Sequence, residues 1–221
     1  MVKTSAKSAE NIQKPQSSGK VRGRPRLGEE AREGLIVAAG AVLAAEGYEK
    51  LGARAIAAKA GVAVGTIYKY FGDLDGLVRY ANGQTYDDLH DYQSRVVAEA
   101  ASAGGDVYAQ LMALAQGYLD FVEANWNRWT ATLAFNSQQT EPPDWYRAKE
   151  FALLEIVVGV LEPLPGLQTR GERYRAAMAL WASVHGIITV AMSGGFRTGG
   201  AEEAMRQAAI IVEPVVRRYG G

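Results

Sequence analysis

From Ala53 to Phe71 the chain reads ARAIAAKAGVAVGTIYKYF, two short amphipathic helices joined by a glycine turn. The first, Ala53–Ala60, gathers Ile56, Ala57 and Ala60 on one side. Gly61 follows where the helix must stop and reverse, because glycine adopts positive φ at no steric cost. The second helix, over 63–70, turns Ile67 and Phe71 inward and leaves Val64, Thr66, Lys69 and Tyr70 outward or on its flanks. A short face of hydroxyls and a lysine, set beside a tight turn, suits a DNA backbone and its base edges. The stretch predicts a helix-turn-helix.

From Gly47 to Leu77 the pattern is G-Y-x-x-x-x-x-R-x-I-A-x-x-A-G-V-x-x-G-T-I-Y-x-Y-F-x-x-x-x-x-L. It closely resembles the DNA-binding domain of the tetracycline-repressor (TetR) family. Gly47, Tyr48, Arg54, Ile56, Ala57, Ala60, Gly61, Val62, Gly65, Thr66, Tyr68, Tyr70, Phe71 and Leu77 carry the match. The resemblance implies that Thr66, Tyr68 and Tyr70 bind phosphates, and that Arg54, Val64, Gly65 and Lys69 lie at or near base edges. The chemistry is compatible, since arginine reads guanine N7 and O6 and valine meets a thymine methyl. Three positions depart from the family pattern: Leu51 and Ala63 replace hydroxyl residues, and Leu74 replaces a lysine. The first two departures weaken N-capping by about 1 kcal/mol each, with Gly52, Gly61 or Asp73 left to cap instead. The third removes a phosphate contact.

The 221-residue chain is neutral, with 24 basic and 24 acidic residues, but the charge is unevenly placed. Residues 1–28 carry seven basic residues and one acid, a net of +6, whereas 29–80 net −1 and 81–221 net −5. Phosphate attraction requires cations, so the N-terminal arm supplies much of it. The arm is rich in Ser, Lys, Gln and Gly, a composition that predicts disorder in free protein. Within it, Arg22-Gly23-Arg24-Pro25-Arg26 resembles the core of an AT-hook, which lies in the A·T-rich minor groove, and TetR relatives carry a similar arm. Arg24 and Arg26 are the expected inserting residues, against the alternative of a solvated basic tail.

Helical patterning continues to the C-terminus, and strand signals are weak. Helices are expected over 29–46, from 73 to about 100, from 106 to 125, and over 126–136, 144–161, 171–192 and 201–218. Gly104-Gly105, Pro142-Pro143, Pro163, Pro165 and Ser193-Gly194-Gly195 punctuate them, and Pro214 is expected to kink or shorten the last. The expected architecture is all-α with about nine helices. It comprises a basic arm (1–28), a three-helix DNA-binding domain (29–80) and a larger helical effector-binding and dimerisation domain (81–221). No run is apolar for the eighteen or so residues of a membrane span, and no secretory signal is evident. The chain has no cysteine, which excludes disulfides and thiolate metal sites and fits a reducing cytoplasm.

Met178, Val184 and Ile188, with Met205, Ala208 and Val212, fall on helical stripes of the last two helices. A stripe alone is compatible with a monomer's core. The resemblance implies that these helices pair across a two-fold axis as a four-helix bundle, and hence an inverted-repeat operator. Trp181-Ala-Ser-Val-His185-Gly186 resembles the W-x-x-x-H-G signature of one C-terminal subgroup that binds small effectors. Trp181 and His185 share a helix face, and with Tyr118, Phe121, Trp126, Trp129 and Phe151 they are candidates to line an apolar effector cavity. The alternative is that these aromatics fill the core. Asp87, His90 and Asp91 have helical spacing for a cation, although a solvated acidic face is favoured. No catalytic constellation, phosphate loop, cofactor motif or metal site stands out.

The sequence thus predicts a homodimeric, cytoplasmic transcriptional repressor that holds double-stranded DNA and releases it on binding a small effector. It is read as neither an enzyme nor a membrane protein. Two alternatives remain at this stage: an architectural DNA binder dominated by its arm, and a ligand-binding or enzymatic helical domain that retains a helix-turn-helix.

Overall fold

The computed structural model describes residues 24–138, 141–193 and 199–221, with the side chains of 24–27 excepted. Among the described residues there are nine α-helices and no strand. They are α1 (Arg24–Glu46), α2 (Ala53–Ala60), α3 (Gly65–Phe71), α4 (Leu74–Ser102), α5 (Val107–Ala124), α6 (Trp126–Asn136), α7 (Asp144–Val160), α8 (Arg170–Met192) and α9 (Gly200–Tyr219).

Helix α1 buries Leu35, Ile36, Ala39, Val42 and Leu43 against α2, α4 and α6, and Gly47 ends it at φ 75°. It begins at Arg24 rather than at residue 29. Pro25 permits this, because proline in a first turn gives up only an N–H that the helix would leave unpaired. Arg24 and Arg26 therefore lie on helical backbone instead of an extended arm, and residues 1–23 lie outside the described residues.

Helix α2 closes with a Schellman motif: Val62 N–H donates to Ala57 C=O at 3.0 Å, and Gly61 N–H to Ala58 C=O at 3.2 Å. Gly61 sits at φ 69°, where a side chain would be strained. Neither α2 nor α3 has a side-chain cap, so the loss of both hydroxyl residues is not made good locally. The regular part of α3 starts at Gly65, two residues later than expected, after turn bonds accepted by Ala63 and Val64. Asp73 does cap the next helix, accepting from Gly76 N–H at 2.6 Å.

Helix α4 runs unbroken through the expected domain boundary at 80/81. It packs against α1 and α3 near its start and against α5, α6 and α7 farther on. Its approach to α5 is close: a Cβ on Gly117 would stand 3.3 Å from both Tyr92 and Val96. The two halves of the molecule are joined by a rigid rod.

Helices α8 and α9 pack on each other and on α5 and α7. Thr169 and Glu172 form a reciprocal capping box at the start of α8. Helix α9 runs to Tyr219, within a residue of its expected bounds, and of the two effects expected of Pro214 it shows no early end. Proline leaves the carbonyl of Ile210 without a helical donor, and this is a solvent-facing turn, with the Ile210 side chain 68% exposed. Helix α8 also departs from expectation. It is long and apolar enough to cross a bilayer by length and composition, yet only 22% of that stretch is buried within the chain.

Candidate nucleic-acid interface and effector cavity

Ile56, Ala57 and Ile67 are fully buried in the core shared by α1–α4, which fixes the faces that α2 and α3 turn outward. Arg54, Gly65, Tyr68 and Lys69 are exposed, and Thr66 and Tyr70 are half-buried. Val64 is also half-buried and packs against the core, so it offers less surface to DNA than expected. The Lys69 ammonium lies 5.4 Å from the Tyr70 ring centroid, and a Cβ on Gly28 would come within 3.0 Å of the Tyr70 hydroxyl. Tyr70 thus links the recognition helix to the start of α1, the element that continues from the basic arm. Phe71 closes the other side, under the Arg32 guanidinium and edge-on to Tyr80.

The C-terminal half divides the expected effector residues between two cavities. The smaller, about 50 Å³, is bounded by Gln93, Tyr118, Trp181 and His185 among apolar neighbours. That volume admits a few waters at most. Burial raises the Tyr118 phenol well above its ordinary range and lowers His185. Tyr118 therefore keeps its proton and its hydroxyl is hydrogen-bonded with Nδ1 of His185 at 2.7 Å, while Trp181 stacks on the imidazole at 5.1 Å. This is a finished internal contact.

The larger cavity, about 260 Å³, approaches the size of a small-ligand site. Trp129, Leu133, Phe151, Leu153, Met178 and Trp181 form much of its apolar wall. Phe151, Met178 and Trp181 are 50%, 39% and 41% exposed, so they form its rim and not an enclosed core. Phe121 and Trp126 line neither cavity and pack in the hydrophobic core instead.

The polar end of the larger cavity was not foreseen. Tyr86 donates to Glu150 Oε1 at 2.9 Å, and Asn136 Nδ2 donates to the same oxygen at 3.0 Å and to the Tyr86 hydroxyl at 2.7 Å. Tyr146 donates to Asn136 Oδ1 at 2.9 Å. Burial first, and then neighbouring Tyr146 and Glu150, raise the Tyr86 phenol; burial and Glu150 raise that of Tyr146. Both phenols remain donors. The partners are contributed by α4, α6 and α7, at sequence separations of 64 and 50 for Tyr86 with Glu150 and Asn136, so no local pattern announces them.

The expected dimer stripe is largely consumed within the chain. Ile188 and Ala208 have no exposed surface and Val212 only 2%, because these positions fill the core beneath α8 and α9. Met178, Ala179, Trp181, Ala182 and Ile210 are apolar residues that remain exposed on these helices, beside exposed charged residues such as Arg175, Arg206 and Arg217. Asp87 is held by the Lys149 ammonium at 2.6 Å, which draws it away from His90 and Asp91. No cluster of three His, Asp or Glu residues suited to a metal is present among the described residues.

Two family models match the chain. That of bacterial regulatory proteins, tetR family, covers residues 35–81, and that of the tetracyclin repressor-like C-terminal domain covers 111–212. A TetR-family assignment from Mesorhizobium loti MAFF303099 superposes with TM-score 0.67 at 24% identity, over 88% of this chain and 98% of that one. A transcriptional regulator from Rhodococcus sp. RHA1 gives 0.66 at 23% identity, over 86% and 98%. The regulator FadR from Bacillus subtilis, in complex with stearoyl-CoA, gives 0.60 at 18% identity, over 83% and 97%. At these identities the likeness shows the fold. No curated protein matches. The helix-turn-helix geometry, the all-helical second half and both family models agree, and the chain belongs to the TetR family of bacterial transcriptional regulators.

Proposed function

We propose that this protein is a homodimeric, sequence-specific DNA-binding repressor, released from an inverted-repeat operator by a small, mainly apolar effector. The observation that carries the reading is the exposed row of Arg54, Gly65, Tyr68 and Lys69 beside a recognition helix held by a buried core. Thr66, Tyr68 and Tyr70 engage phosphates, while Arg54 reads a base edge with Val64, Gly65 and Lys69 beside it. Arg24 and Arg26 stand in the first turn of α1, whose Gly28 lies beside Tyr70. On a helical backbone they suit phosphate attraction better than insertion into a minor groove.

The effector occupies the larger cavity. Its walls come from α4, α6, α7 and α8, and α6 is tied to α1 in the DNA-binding half and to α4. Asn127 Nδ2 donates to the Ala44 carbonyl of α1 at 2.9 Å, and Arg128 pairs with Asp88 of α4 at 2.7 Å. An effector that favours a shifted α6 would therefore move α1 and α4 together. Two recognition helices displaced from the ~34 Å spacing of successive major grooves no longer fit one face of DNA. Release then requires only a few kcal/mol of differential affinity for the shifted state.

The apolar face of α8 supports pairing with a second copy, since it is left open by the chain's own packing.

The test is competition between a bound fragment and non-specific duplex, comparing the full chain with one lacking residues 1–20, a cut that leaves α1 whole. Retained base preference with reduced affinity is expected. Loss of nearly all binding would instead establish an architectural protein dominated by its arm. In the full chain, Arg54→Ala should relax preference at one operator position; unchanged preference everywhere removes its base-reading role.

A further inference from the structure

The polar end of the larger cavity is a carboxylate set among aromatic rings. Glu150 is the one charged side chain of the cavity wall among the described residues, and no Lys, Arg or His lines that wall. Of the neighbouring cations, Lys149 is held by Asp87 and Arg128 by Asp88. Arg79 acts on Tyr146 and lies over the Phe135 ring at 5.6 Å, and it is not part of the wall. Both donors to Glu150 converge on Oε1, so Oε2 is available to a group entering the cavity.

Such a site discriminates by charge. In a partly desolvated space an anion would meet Glu150 with little screening, while a cation gains a charge-assisted hydrogen bond. Tyr86, Trp129, Phe151 and Trp181 line the same cavity, and an aromatic face turned to a bound cation adds to the preference. An apolar body would lie along Leu133, Leu153 and Met178 toward the open rim.

We propose that this cavity takes a lipophilic cation: a protonated amine or quaternary ammonium on an aromatic or short aliphatic body, with Glu150 as its counter-charge. The proposal rests on reading this cavity as the effector site, and it adds the chemical class of the ligand. Tyr86 and Asn136 hold the carboxylate in place, and Tyr146 holds Asn136.

Three probes of one shape test it: 4-phenylbutylamine, 4-phenylbutanol and 4-phenylbutyrate, titrated into the DNA-free full chain by calorimetry and tryptophan fluorescence at pH 7. The amine is protonated there, as a lysine is. The amine is expected to bind about tenfold tighter than the alcohol, with the carboxylate weakest. In Glu150→Gln, whose Oε1 still accepts from Tyr86 and Asn136, amine and alcohol should bind alike while the alcohol's own affinity is unchanged. That unchanged affinity also shows that the variant is folded. An amine preference that survives Glu150→Gln, a preferred carboxylate, or no saturable binding of any probe up to the order of 1 mM overturns the proposal. DNA release is read separately. An amine that binds with the expected preference but leaves the DNA complex intact upholds the ligand chemistry and overturns the cavity's role as the switch.

Discussion

Tyr68 is 52% exposed on α3, where the proposed reading gives its hydroxyl a phosphate to meet. Tyr68→Phe should leave the melting temperature unchanged and weaken binding to any duplex several-fold, in line with about 1 kcal/mol for one hydrogen bond. A gel-shift titration of specific and non-specific DNA checks this, and a loss confined to one sequence would contradict a phosphate role. His185 makes the opposite kind of claim. Burial lowers its pKa below the ordinary 6.5, so the folded chain binds fewer protons there than the unfolded chain. Its stability contribution is present above pH 6.5 and is lost as pH falls through that region. His185→Gln, which still accepts from Tyr118, should therefore flatten the decline between about pH 7.5 and pH 5 seen in urea midpoints. Parallel profiles would show that His185 is not desolvated as described. The proposed phosphate contacts Thr66 and Tyr68 could be named from sequence because one short helix carries them. Tyr86, Asn136 and Glu150 could not, because three distant helices bring them together and each is ordinary in its own segment.

Helices α2 to α7 fall within a residue or two of where capping and periodicity put them. Asp73 and Asp106 mark their helix starts by accepting backbone N–H bonds at 2.6 and 2.8 Å. Asp73→Ala should cost about 1 kcal/mol, seen as a lower urea midpoint at unchanged m-value. An unaltered midpoint would mean that packing of α4 against α1 and α3 alone sets where this helix starts. The misjudged ends have physical reasons. Pro25 was read as keeping an arm extended, although proline also suits a helix's first turn. Pro214 was read as a kink or an early end, and α9 runs past it to Tyr219 on a turn where Ile210 is exposed. The stripes of α8 and α9 were visible, but periodicity cannot distinguish a stripe facing the chain's own core from one facing a partner. Ile188, Ala208 and Val212 proved to face the core.

At the scale of the molecule, α4 and α6 join the helix-turn-helix end to a cavity, and α8 presents an apolar face that the described residues leave mostly uncovered. Ala182, exposed on that face, is small enough to permit close helix approach. Ala182→Glu should convert a dimer to monomers in sedimentation equilibrium without lowering monomer stability, because the site is open to water in one chain. A dimer that persists would place the interface elsewhere. The central claim is that two copies read a symmetric DNA site, and selection of bound duplexes from a random pool at about 150 mM salt tests it most directly. Phosphate-only binding fades at that salt, so the account predicts enrichment of an inverted repeat whose half-sites are centred about one helical turn, or a multiple of it, apart. Enrichment of A·T content with no repeat would contradict it and leave the basic arm as the dominant binding element.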